Sequence, residues 1–464
     1  MSTVHEVDLF TIGAGGAAYP AAFLLARAGL RVVMADTKGV MSGNCLAEGC
    51  VPSNSVREVA AHRARQRRFS PWGLPGELPV DYRKVVAHKD QVQKDRYDQH
   101  ARELSEVPSL RLVAGRARFL DDHTIAVEGN QGEERYRARH IIVASGSDIV
   151  RPSFPGADLF LDSRDFFALN PALTERPSSL VIVGGGYIGL ETATMFHALG
   201  TEVTLIEKGP RVLSGMDSAM VKELCGLLDP GIRILRGATV LKAEKTDSGV
   251  ALHTRVGEAA PEVVHAEKGM VAVGRRPVVP EGFEAIVGGE VGPRGIVADL
   301  SCQTSIPHIY AAGDVNGISP LFHSAVRQSL VAAHNILAGG RAVDAFNPAA
   351  VPVTVFTLPE AAWVGLVPDE AHRRGIPFVT GRYDFAEDSR AQILGETGGG
   401  ITLLFEPGSL RLLGGTIVGV DAASLVGEIG LAVAGRLTAR DLAHFPDQHP
   451  MAAEGVGKAA RTLV

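Results

Sequence analysis

The sequence predicts an α/β protein that carries one strand–turn–helix–strand unit twice and ends in an α+β region. Three observations lead there. The apolar run Val7 to Ile12 stops at Gly13-Ala14-Gly15-Gly16-Ala17-Ala18, a G-x-G-x-x-A turn. A second run, Leu180 to Val183, stops at Gly184-Gly185-Gly186-Tyr187-Ile188-Gly189. Each turn leads into a helix and then a strand that closes on an acid, and Gly13 to Asp36 and Gly184 to Glu207 both span 23 positions.

In the first copy the helix runs to Ala28, Gly29 ends it, and Arg31 to Asp36 is the second strand; in the second the helix reaches Leu199, followed by Gly200 and Thr201 to Glu207. The chemistry of such a unit is specific. Glycines let the backbone approach a pyrophosphate, the helix N-terminus attracts its charge, and the acid takes a ribose hydroxyl. A repeated pattern at one spacing points to two dinucleotide sites, marked by Gly13, Gly15, Ala18 and Asp36 and by Gly184, Gly186, Gly189 and Glu207, rather than to packing turns.

Between the copies, Gly43 to Asn54 holds Cys45 and Cys50, followed by Pro52 and Ser53, which suit a helix entry. A thiolate at a helix N-terminus is stabilised by the free N–H groups there. The C-x4-C spacing alone leaves two readings open, a redox pair or two inert buried thiols. A charged helix (Arg57 to Arg68), a Pro/Gly-rich loop (Ser70 to Pro79) and a polar helix through Leu104 follow. The strand Arg139 to Val143 enters Ala144-Ser145-Gly146-Ser147, and Arg151 to Gly156 reads as a linker. Met270 to Val273 enters Gly274-Arg275-Arg276-Pro277, and Ile309 to Ala312 enters Gly313-Asp314 ahead of a helix from about Ser324 to Leu337. From Val351 on, alternating strands and closing helices make the α+β region.

With 464 residues, about three domains are expected. A net charge of −6 gives no footing for nucleic acid or an anionic membrane. No apolar run reaches the roughly 18 residues of a membrane span. The N-terminus lacks the basic, apolar and cleavage segments of a leader, so a cytoplasmic location is expected. Cys225 and Cys302 have no metal spacing and read as inert thiols.

Taken together, the first glycine turn with Tyr19, the Cys45/Cys50 pair, the Ser145 and Gly274 turns, Gly184 to Glu191, Ile309 to Val315, Phe356 to Gly365, and His449-Pro450 with Glu454 resemble the flavoprotein disulfide reductases, and among them the dihydrolipoamide dehydrogenases. The resemblance implies two Rossmann-like dinucleotide-binding domains and a C-terminal dimerisation domain. The FAD domain would comprise residues 1–150 and 274–345, with an NAD domain at 151–273 and the dimerisation domain at 346–464. It also implies roles. FAD would lie on the first turn, with Asp36 on its ribose, Gly115 at adenine, Asp314 at the ribityl chain and His323 under the ring. Ser145, Gly146, Ser147, Gly274, Asn54 and Glu191 would be further cofactor contacts. NAD would lie on the second turn, where the carboxylate of Glu207 repels the 2′-phosphate of NADP. Cys45 and Cys50 would form the redox disulfide, Cys50 against the flavin and Cys45 toward substrate. His449, oriented by Glu454, would act as base from the second subunit of a homodimer.

Three residues depart from the family pattern. Asn54 stands where a Lys usually pairs with the acid at position 191, which predicts a flavin harder to reduce unless a nearby cation compensates. Glu48, between the cysteines, replaces an apolar residue and is expected to point to solvent. Met451 replaces a small hydroxyl residue, a packing change. The Arg57 to Arg68 run reads as a solvated helix face, or alternatively as a docking patch for an acidic partner such as a lipoyl-carrying protein. The function implied is an NAD- and FAD-dependent dithiol/disulfide oxidoreductase, with dihydrolipoamide the leading substrate. The tail lacks the cysteine pair of mercuric reductase or large thioredoxin reductases, and Glu207 disfavours glutathione reductase. The alternatives are a reductase of another disulfide, a transhydrogenase or diaphorase that bypasses the disulfide, or a non-catalytic scaffold.

Overall fold

The computed structural model describes residues 4–130 and 132–464. The first glycine unit begins with β1 (Val4–Ile12), α1 (Tyr19–Arg27) and β2 (Val32–Asp36). Two helices, α2 (Gly43–Glu48) and α3 (Cys50–Phe69), then form a bent pair that α4 (Tyr82–Ser105) follows. Strands β3 (Leu110–Ala114), β4 (Arg116–Phe119), β5 (Thr124–Gly129) and β6 (Gly132–Val143) complete a sheet of order β3-β2-β1-β6-β5-β4. The strand Ile309–Ala311 returns to pair parallel with the end of β6. Parallel strands need cover on both faces, and their sequences show it. Val32 and Met34 face the core under α1, while Val33 and Ala35 face the core around Phe119 and Phe283.

The chain leaves this sheet through β7 (Ser147–Ile149), enters α5 (Ser163–Phe167), and builds a second parallel sheet. This sheet contains β8 (Ser179–Val183), β9 (Glu202–Ile206), β10 (Arg233–Leu235) and Lys268–Val271, with α6 (Tyr187–Ala198) against it. It returns through Arg275–Pro277, which pairs antiparallel with β7. The helix Phe322–Leu337 then covers the first sheet. A five-stranded antiparallel sheet from Val353 to Val418, covered by Ala422–Ala434, Ala439–His444 and Glu454–Arg461, makes the α+β region. Among the described residues, no helix is long and apolar enough to cross a membrane.

Candidate active site

The two glycine turns are built alike. Gly13 and Gly184 both have φ of +113°, and a Cβ on either would sit 2.3 Å from a carbonyl oxygen, of Ala144 or Ala272. Only glycine meets that demand. In each copy the closing acid folds back onto its turn. Asp36 accepts from the N–H of Ala14 at 3.1 Å, and Glu207 from that of Gly185 at 2.7 Å. Gly115 donates its N–H to Asp36 O at 3.0 Å, so it stands beside the first acid. Gly15 and Ala18 lie in the first turn ahead of α1, and Gly186 and Gly189 lie where α6 begins. Arg211, close to Glu207 in sequence, bonds instead to the carbonyls of Ser214 and Met216.

The cysteine-bearing helix α2 meets the first turn directly, because Gly43 packs on Gly15; a Cβ on Gly43 would fall 2.8 Å from the Gly15 Cα. Cys45 lies in α2, and Cys50 opens α3 with Pro52 in its first turn. Both are free thiols, and their environments are unequal. The interaction with Cys50 and the half-buried setting push the Cys45 pKa up. Cys50, the more exposed of the two, is lowered by the Cys45 thiol, with help from its own backbone N–H and against the charges of Glu191 and Asp314. The pair is thus unequal, with Cys50 the more acidic thiol.

Ser147 is the hub beside this pair. Its hydroxyl donates to Asp314 at 2.6 Å and accepts from Arg275 at 2.9 Å, while its carbonyl accepts from Asn44 at 2.9 Å and Arg275 at 2.8 Å. Ser145 and Gly146 bond to the backbone of Val278, and Gly274 O accepts from Val150 N at 3.0 Å. A cleft of about 880 Å³ runs from Ser147 and Asp314 past Tyr187 to Gly184 and Glu207. It brings the second glycine turn to the Ser147–Asp314 pair.

Glu191 accepts from the Phe356 N–H at 2.9 Å. Burial pushes its carboxyl up to about 7, against that hydrogen bond and the charge of Arg57. Arg57 donates to Phe356 O at 3.0 Å and pairs with Glu360, while Asn54 turns to Cys50 O at 2.9 Å. The folded protein holds the Glu191 proton more tightly than the unfolded chain does. Its stabilising contribution is complete at acid pH and is lost as pH rises toward about 7. Glu191→Gln should flatten this part of the stability profile, read as melting temperature against pH; an unchanged profile would assign the proton elsewhere.

Two expectations need correction. Glu48 does not point to solvent. It is 5 % exposed, with Arg164 Nε at 3.0 Å and Arg275 Nη2 at 3.7 Å, and these guanidiniums compensate its burial. The Arg57 to Arg68 helix is not a simple solvated face either. Arg57 and Arg63 are buried, Arg63 donates to Ala198 O at 2.6 Å and Leu78 O at 3.1 Å, and Arg68 pairs with Glu396. Carbonyls and acids from other elements draw these side chains inward, and Arg65 remains exposed.

His449 is 70 % exposed and bonds through Nδ1 to Glu454 Oε1 at 2.9 Å. Burial would raise Glu454, but the His449 bond and the charge of Lys458 outweigh it and hold the carboxyl below its usual range. Among the described residues, no hydrogen bond or ion pair joins these two to the cysteines of the same chain. His323 bonds to Pro352 O at 2.7 Å, where the α+β region begins. Arg275 and Asn44 were missed as site residues, although Arg275 directly follows Gly274 in a turn already singled out.

The residues present fit both cofactors implied by the sequence. Each turn is a cradle that a Cβ would fill, with its acid in place, and the charges of Asp314 and Glu191 reach Cys50. The model of the pyridine nucleotide-disulphide oxidoreductases matches residues 7–329, and that of their dimerisation domain matches 351–460. A dihydrolipoyl dehydrogenase of Geobacillus stearothermophilus is 34% identical across 99% of this chain and 96% of its own length. One of Vibrio cholerae is 32% identical across 100% and 97%. Among solved structures, LpdA of Mycobacterium tuberculosis superposes with a TM-score of 0.88 at 24% identity, covering 99% of this chain and all of that one. The HOCl-induced flavoprotein disulfide reductase RclA of Escherichia coli, as its Cu(II) complex, gives 0.87 at 23% over the same shares. These structures share the fold. With two dinucleotide cradles, a thiol pair between them and full-length relatives, the chain belongs to the pyridine nucleotide-disulphide oxidoreductase family and uses FAD and NAD.

Proposed function

We propose that this enzyme passes electrons between NAD(H) and a dithiol/disulfide substrate through FAD and the Cys45–Cys50 pair, and that the substrate is dihydrolipoamide, free or on a lipoyl-carrying protein. The observation that carries this reading is the placing of the Cys45–Cys50 pair: α2, which holds Cys45, packs on the first glycine turn through Gly43 and Gly15, and Asn44 beside it bonds to Ser147, which holds Asp314. Bound FAD supplies the two-electron link between the nicotinamide and the sulfurs. The domain limits follow the family: residues 1–150 and 274–345 hold FAD, 151–273 hold NAD, and 346–464 pair two subunits. Gly13, Gly15, Ala18, Asp36 and Gly115 bind the adenosine and pyrophosphate end of FAD. Ser145, Gly146, Ser147, Gly274 and Asp314 line its middle, with Asn54, Glu191 and His323 at the ring. Gly184, Gly186, Gly189 and Glu207 hold NAD. The partner subunit's His449, oriented by Glu454, takes the substrate proton in a cytoplasmic homodimer.

The test is NAD reduction by dihydrolipoamide with purified holoenzyme. Brisk turnover supports the reading. Its absence in a protein whose flavin NADH still reduces would transfer the redox core to another thiol or carrier.

Asn54 favours a shifted redox poise. Arg57, whose charge reaches Glu191, is paired with Glu360, and the Glu191 carboxyl remains raised. Asn54→Lys should therefore move the flavin potential upward by a few tens of millivolts, about 1–2 kcal/mol. A potentiometric titration that leaves it unchanged would sink this explanation.

A further inference from the structure

We propose that Glu48 is a positioning residue that clamps the hinge between the FAD and NAD regions and thereby sets the geometry of hydride transfer between nicotinamide and flavin. This rests on the function proposed above. Both covalent crossings between the two regions lie in one ribbon, Ser147–Ile149 paired with Arg275–Pro277. Glu48 reaches that ribbon from the redox helix. Its Oε1 faces Arg275, and its Oε2 accepts from Arg164 on α5, the first α-helix beyond the ribbon. Arg164 in turn pairs with Asp148 of the ribbon, and Arg275 holds Ser147. One buried carboxylate thus joins the redox helix, the hinge and the NAD side. Without its charge, two guanidiniums would face each other with less compensation, and the hinge would lose its hold.

The position of the redox helix does not depend on this clamp. Gln93 donates to Leu46 O at 2.9 Å and Ala47 O at 3.0 Å, and Gly43 rests on Gly15. Exchange between the cysteines and the flavin takes place within the FAD region. Hydride transfer crosses the hinge and is steep in distance, so a shift of about 1 Å costs on the order of 10²-fold.

The test uses holoenzyme carrying Glu48→Gln and, separately, Arg164→Met. Flavin reduction by NADH is expected to slow about 10- to 100-fold, while reduction by dihydrolipoamide stays near the wild-type rate. Amide exchange of Ser147–Ile149 and of Arg275 and Arg276 is expected to quicken. Equal slowing of both half-reactions, or a wild-type rate with NADH together with unchanged ribbon exchange, would overturn the clamp. If wild-type flavin is not reduced by NADH at all, the proposed function fails instead. The ribbon exchange then decides the clamp alone.

Discussion

Replacing Cys50 with serine is expected to lower dihydrolipoamide-dependent NAD reduction by at least about 10³-fold. Flavin reduction by NADH should persist in the same variant. The expectation follows from the thiol asymmetry. Cys50 opens α3, and the neighbouring Cys45 thiol lowers its pKa. A serine hydroxyl neither ionises there nor forms a disulfide, so electrons from a dithiol have no route to the flavin. The measurement is steady-state NAD reduction beside anaerobic rapid mixing with NADH. A variant retaining dithiol turnover would place the chemistry elsewhere.

The second large effect is expected at His449. His449→Ala should reduce kcat/KM for dihydrolipoamide by about 10²–10⁴-fold, as loss of a general base does, and leave reduction of the flavin by NADH nearly intact. Glu454, held below the usual carboxylate range, bonds to Nδ1 and leaves Nε2 to meet the substrate thiol. Mixed dimers test the origin of the base. One subunit carries Cys50→Ser and the other His449→Ala. If the base acts across the dimer, one site retains both groups and about half of the activity returns. If it acts within its own chain, both sites are dead.

The parts of this site legible in the sequence are those that the backbone dictates. Gly13 and Gly184 occupy a φ of +113° against a carbonyl oxygen, a demand that admits one residue type and marks its place in any sequence. Asp36 and Glu207 could be assigned to their turns because one ends, and the other directly follows, the strand after the turn helix. Pro52 marked the entry of α3 for a similarly local reason. Glu48 was misread because its burial depends on Arg164 and Arg275, brought in by a fold that spans more than a hundred positions. Arg57 and Arg63 were misread for the same reason. Their partners, at Glu360 and at the end of α6, are tertiary neighbours that no helical spacing reveals. Ser147 was visible as part of a turn, but its place between Asp314, Arg275 and Asn44 was not.

The most direct test of the relay through flavin and disulfide is a count of electrons. Anaerobic dithionite titration of the holoenzyme should take up about four electrons per subunit, two at the disulfide and two at the flavin. The Cys50→Ser variant should take up about two. A wild-type subunit that also saturates at about two electrons would contradict the account, because its cysteines would lie outside the electron path.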